Sequence, residues 1–132
     1  MVGIVLATHG KLAEELVKVS EFIVGQMEQV TAVSIDPSQD VEILRKEIQK
    51  AIKRVDSGSG ILILTDMFGG TPSNISLSFL KEGKIDVVTG VNLPMLMRLT
   101  HSREKLALAE VAEQAKSYGR KGISQASEVL KK

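Results

Sequence analysis

His9 and Asp66 are the two side chains whose setting suits chemistry. Each closes a short apolar run: Gly3-Ile4-Val5-Leu6-Ala7-Thr8 gives out into His9-Gly10, and Ile61-Leu62-Ile63-Leu64-Thr65 ends at Asp66. Asp66 leads into Met67-Phe68-Gly69-Gly70-Thr71-Pro72-Ser73-Asn74, a glycine-rich turn opening a helix. An imidazole with a pKa of about 6.5 keeps one ring nitrogen free near neutral pH, and that lone pair can attack phosphorus. A carboxylate accepting the hydrogen of the other nitrogen fixes the tautomer and balances the cationic ring formed during transfer. Asp66 is the candidate for that role. The incoming phosphoryl group needs donors, and Gly69 and Gly70 let the backbone turn its N–H groups inward. Thr71 is a candidate N-cap and Pro72 suits the first helical position, while the helix N-terminus adds partial positive charge. Gly69, Gly70, Thr71 and Ser73 therefore form the expected phosphoryl-binding set.

Each piece alone has a plainer role. A histidine after a strand often caps a loop, Thr65-Asp66 can hold an Asx-turn, and Gly-Gly-Thr-Pro lacks the spacing of the established phosphate loops. Their weight comes from position. Open α/β sheets bind ligands beyond the carboxyl ends of their strands, at the point where strand order reverses. His101, in Thr100-His101-Ser102, has no comparable support and reads as a surface or capping residue.

The elements that must place these residues alternate in type. Apolar β-rich runs at 3–8, 30–35, 61–65 and 85–90 read as four strands. Between them, Leu12, Leu16, Val19 and Ile23 recur at helical spacing up to Gly25, and Val41, Leu44, Ile48, Ile52 and Val55 form a second helical face. A third helix is expected over about 72–80. A loop at 91–94 precedes a short helix starting at Pro94, and a long helix is expected over about 103–118, interrupted by Gly119 and Gly122. The segment 123–127 reads as a fifth strand or a frayed helical tail. Strands alternating with helices imply an α/β fold with an open, mostly parallel, flavodoxin-like sheet, strand order beginning 2-1-3-4. In that order the first and third strands are neighbours, so His9 and Asp66 fall side by side.

Composition narrows the class. The chain has 132 residues, enough for one domain with a real core, expected to span residues 1–132. Hydrophobic residues are 43% and aromatics only 3%, so the core is aliphatic, as in parallel sheets covered by helices. The net charge of +1, with basic and acidic residues interleaved, carries no nucleic-acid footprint. There is no cysteine, and the two histidines lie far apart, so neither a metal nor another cofactor is expected. No segment approaches the roughly 18 apolar residues of a membrane span, and no basic region precedes an apolar leader. A cytoplasmic protein without membrane insertion is the expectation.

On three segments the chain resembles the IIA domains of the mannose family (mannose, fructose and sorbose types) of the bacterial phosphoenolpyruvate-dependent sugar phosphotransferase system. They are Ile4-Val5-Leu6-Ala7-Thr8-His9-Gly10, Thr65-Asp66-Met67-Phe68-Gly69-Gly70-Thr71-Pro72-Ser73-Asn74 and Gly90-Val91-Asn92-Leu93-Pro94-Met95-Leu96. The likeness extends over nearly the whole chain. It implies a phosphotransferase in which His9 accepts a phosphoryl group on Nε2 from the histidine-containing carrier HPr and donates it to a IIB protein or domain. Asp66 would hold the other side of the ring. The resemblance also implies a homodimer in which a C-terminal strand, at 122–126 here, pairs with the partner's sheet. Many members continue into a IIB domain, so the chain reads as a stand-alone IIA or as a piece of a longer protein.

Partner docking is expected on an apolar ring around His9 formed by Met67, Phe68, Leu93, Pro94 and Met95, since clustered apolar residues in exposed loops mark contact sites. Three alternatives accompany this reading. A receiver-type signalling domain would place its phosphorylatable aspartate at Asp66, but its acidic pair after the first strand is replaced by Thr8-His9. A pure binding module would use the same loops without phosphorylation. The phosphotransfer subunit of dihydroxyacetone kinases starts similarly, but typically carries Met-Gly-Ser-Ala where this chain has Phe-Gly-Gly-Thr-Pro.

Overall fold

The computed structural model describes residues 1–131. The chain runs β1 (Gly3–His9), α1 (Leu12–Val24), β2 (Val30–Ile35), α2 (Val41–Val55), β3 (Ile61–Thr65), α3 (Gly70–Leu77), β4 (Ile85–Thr89), α4 (Leu93–Ser102), α5 (Leu108–Lys121) and α6 (Ala126–Val129). The four strands pair in parallel in the order β2-β1-β3-β4, as the alternation of elements predicts.

Alternation along the central strands sends side chains to two cores. Ile4 and Leu6 of β1 and Leu62 and Leu64 of β3 pack with α1, α4 and α5. Val5 and Ala7, with Ile61 and Ile63, pack on the other face against α2 and Ile75 of α3. The same period places the polar ends. Thr8 follows Leu6 toward α1, where its Oγ1 accepts the Ala13 N–H at 2.7 Å. His9 and Thr65 follow Ala7 and Ile63 toward α3. The two faces of the sheet thus send Thr8 to one helix and His9 with Thr65 to another.

Several boundaries differ from expectation, each for a packing reason. Helix α1 is rotated. Ala13 and Ser20 are buried, whereas Leu12, Val19 and Ile23 are exposed, because small residues let the helix approach the sheet closely and the Thr8 contact fixes its first turn. Val41 is likewise exposed at the start of α2, while Leu44, Ile48, Ile52 and Val55 are buried. Helix α3 begins at Gly70 with Gly69 as its N-cap, so Thr71 lies inside the first turn instead of capping it. Helix α4 starts at Leu93, because the Asn92 side chain accepts the Met95 N–H at 3.0 Å and caps it.

Arg103 does not open the last long helix. It caps α4 and is fully buried, its guanidinium donating to the carbonyls of Val2, Glu28 and Gln29 at the amino ends of the strands. Burial lowers its pKa to about 10, against the opposing pull of Glu28. Helix α5 starts five residues later and runs through Gly119, where a Cβ would lie 2.8 Å from Met95 Cε; the glycine lets α4 and α5 approach. Beyond α5 the described residues are exposed and hold only the short α6, with no fifth strand among them. No described helix is long and apolar enough to cross a membrane.

Candidate functional site

The carboxyl ends of β1 and β3 bring His9 and Asp66 into direct contact. Asp66 Oδ2 lies 2.8 Å from His9 Nδ1 and also accepts the His9 backbone N–H at 3.0 Å. The side chains are 39% and 15% exposed, so the imidazole reaches solvent while the carboxylate is largely covered. Burial raises the Asp66 pKa, but the ring and backbone hydrogen bonds from His9, with the charge attraction, outweigh it and hold the carboxyl below its ordinary value. An ionised carboxylate only accepts, so the proton between the groups sits on Nδ1. Nε2 is then the nitrogen with the free lone pair.

That edge of the ring faces the start of α3. A Cβ built on Gly70 would stand 3.0 Å from His9 Cε1 and 3.2 Å from Nε2. Gly69 and Gly70 both have positive φ, +83° and +82°, which ordinary residues rarely adopt. The helix N-terminus therefore approaches the Nε2 edge of the ring with nothing but backbone between them. A helix start offers free N–H groups and positive potential, which suits an anionic group on Nε2. Gly10, at φ +55°, turns the chain away from the ring, and its N–H donates to Ile35 O at 2.9 Å.

The other expected residues divide. Thr71 is half-buried in the first turn of α3. Ser73 is a correction: it is fully buried, its Oγ lying 2.7 Å from Thr65 Oγ1 and donating to the Met67 carbonyl, so its hydroxyl is turned inside and away from any ligand. In the docking set, Met67 and Phe68 are 54% and 77% exposed, and Leu93 and Pro94 are half-buried. Met95 is also a correction. The Asn92 cap starts α4 early enough to aim Met95 inward, where it is buried in the core against Gly119. His101 is exposed near the end of α4, at the opposite end of the sheet from His9.

Sequence reasoning overlooked Thr8 and Thr65, both fully buried and both tying the loops that carry the site. The available signal was a hydroxyl closing each apolar strand. Among the described residues no cluster of His, Asp and Glu could hold a metal ion. Beside β4 an open cleft of about 400 Å³ is lined by Phe68, Val87, Thr89, Asn92, Lys116 and Ile123 among others.

The family described as "PTS system fructose IIA component" matches residues 3–116. The chain is 31% identical over 133 residues to the PTS system fructose-specific EIIA component of Bacillus subtilis strain 168, an alignment covering 100% of this chain and 91% of that protein. It is also 31% identical over 124 residues to the PTS system mannose-specific EIIAB component of Escherichia coli strain K12, covering 92% of this chain but 38% of that longer protein. Among solved structures, the phosphotransferase system component EIIA of Streptococcus agalactiae superimposes with a TM-score of 0.86 at 27% identity, covering 97% of this chain and 99% of that one. The PTS IIA protein associated with the fucose utilization operon of Streptococcus pneumoniae gives 0.81 at 28% identity, with 99% and 100% covered.

Proposed function

Because the chain belongs to the PTS fructose/mannose IIA family, and so is a phosphocarrier of the sugar phosphotransferase system, we propose that His9 is the residue that carries the phosphoryl group. The observation that supports this most directly is the 2.8 Å contact between Nδ1 and Asp66 Oδ2. With Nδ1 occupied, the Nε2 lone pair attacks the phosphorus of the phosphohistidine on HPr. The N–P bond of the donor breaks, its electron pair returning to the donor ring, as the new bond to Nε2 forms. His9 keeps its Nδ1 proton, and Asp66 balances the positive ring. In the second step a nucleophile on IIB attacks the same phosphorus, and the Nε2 lone pair is restored.

Phosphoryl transfer demands mainly positioning and charge stabilisation. The Gly69–Gly70 turn and the first turn of α3 supply donors on the Nε2 side, while Asp66 supplies the countercharge on the other. Exposed Met67 and Phe68, with Leu93 and Pro94, form the docking rim for HPr and the IIB component in turn. A homodimer, and a cytoplasmic location, complete this reading. The receiver-type, dihydroxyacetone-kinase and pure-binding alternatives find no support.

The test is incubation with phosphoenolpyruvate, the general phosphotransferase enzyme and HPr, followed by intact mass. One acid-labile phosphoryl group per chain is expected, lost in His9→Ala and kept in His101→Ala. Undiminished labelling of folded His9→Ala would overturn the assignment.

A further inference from the structure

The loop carrying Asp66 has almost nothing to hold it by its own side chains. Met67 and Phe68 are exposed and Gly69 has no side chain, and beyond the strand and helix ladders no backbone–backbone hydrogen bond among the described residues involves residues 66–69. Yet Asp66 must stay within hydrogen-bond reach of two different His9 donors on one oxygen. What crosses beneath the loop is a buried chain of hydroxyls. Thr65 Oγ1 and Ser73 Oγ are 2.7 Å apart, and Ser73 Oγ donates to the Met67 carbonyl. A serine hydroxyl has one hydrogen, and Ser73 spends it on Met67, so Thr65 donates to Ser73. The direction of the chain is therefore fixed: Thr65 O–H to Ser73 O–H to Met67 C=O. It joins the last residue of β3 to the first turn of α3 and draws the carbonyl next to Asp66 inward. Because the trans peptide is planar, the Phe68 N–H then points to the side away from Ser73.

We propose that Ser73 and Thr65 are positioning residues for the phosphoryl transfer, acting through the Met67 carbonyl to hold Asp66 Oδ2 on His9 Nδ1 and so to keep a single ring tautomer. The role rests on His9 being the carrier residue, but one readout does not. In the unphosphorylated protein, the ¹⁵N shifts of the His9 ring report whether the hydrogen stays on Nδ1. Ser73→Ala leaves a buried hydroxyl and a buried carbonyl without their partner, so the loop relaxes. Its His9 ring is expected to show averaged shifts where the parent shows a fixed Nδ1–H form. With phospho-HPr as donor, kcat should fall by about 10- to 100-fold, the effect of misplacing a reacting group by up to about 1 Å. KM for phospho-HPr should stay within about twofold, since Met67 and Phe68 remain exposed.

Thr65→Val keeps the shape and removes only the first donor, so its effect should have the same sign and be smaller; Thr65→Ser should restore the parent values. Should Ser73→Ala fail to fold, the Thr65 pair decides. Unchanged ring shifts and an unchanged kcat in a folded variant, with only a lower melting temperature, would overturn the proposal. Normal tautomer effects in a parent protein that HPr never phosphorylates would instead overturn the function proposed for His9.

Discussion

Alanine at Gly70 and alanine at Gly69 make a matched pair that isolates the path to Nε2. Both glycines have φ near +80°, and Gly69, with ψ 169°, lies in a region that is essentially closed to other residues. Alanine at either position therefore carries backbone strain of about 1–3 kcal/mol, expected to lower the melting temperature by several degrees in a domain of this size. The two differ in what the new methyl meets. At Gly69 nothing lies within 4 Å; at Gly70 the methyl would sit 3.0 Å from His9 Cε1 and 3.2 Å from Nε2. The ring must shift by a few tenths of an ångström, pulling on its 2.8 Å bond to Asp66, and the methyl covers the edge that the phosphorus approaches. Reacting atoms need to come within about 3–3.5 Å in line, and displacement on this scale can slow transfer about 100-fold. The assay is single-turnover phosphorylation by phospho-HPr, followed by rapid quench at neutral pH or above, beside thermal unfolding. Gly70→Ala should lose about 100-fold in rate, while Gly69→Ala, which is also strained but keeps its N–H and brings no methyl against the ring, should lose about tenfold less than that. Equal rates in the two folded variants would refute the placement of the phosphoryl path beside Gly70.

Asp66→Asn keeps an oxygen for both His9 donors but removes the charge that balances the ring, so transfer should slow by about 100- to 1000-fold with a much smaller loss of stability; parent-like kinetics would make Asp66 purely structural. Since its folded pKa lies below the ordinary 3.8, Asp66 adds stability that is fully present above the unfolded value and lost as pH falls through the folded one. Acid unfolding curves of Asp66→Asn should accordingly lack that part of the decline below about pH 4. Phe68→Ala, removing a 77% exposed side chain, should raise KM for phospho-HPr severalfold and leave the melting temperature unchanged; a large stability loss with normal KM would place Phe68 outside the docking rim. Beyond Ile85, which bonds Lys81 on its outer side, β4 has no strand beside it among the described residues; that edge, the cleft there and exposed Ile123 favour pairing with a second copy. Light scattering at micromolar concentration should give a dimer, and a monomer there would defeat that part of the reading.

The sequence by itself determined the order of elements, the neighbouring of β1 and β3 and hence the meeting of His9 with Asp66. Those follow from signals that are local and strong: apolar runs of strand length, glycine and proline at their ends, and a parallel topology with few alternatives. Rotation and direction were decided elsewhere. On α1 the linear pattern favours the larger apolar stripe of Leu12 and Val19, and the Thr8 contact with close packing against the sheet instead buries the smaller Ala13 and Ser20 one residue along. Ser73 reads as a ligand in a glycine-rich loop, yet the period of β3 aims Thr65 beneath that loop and captures the hydroxyl. Met95 reads as a rim residue until the Asn92 cap fixes where α4 begins. Arg103 falls at the start of an expected helix until three strand-end carbonyls converge on it. The Arg103 partners lie far away in the chain, whereas Ala13, Ser73 and Met95 meet near neighbours whose bonds form only when a strand end and a helix start are brought together, so each choice exists only once the elements have packed.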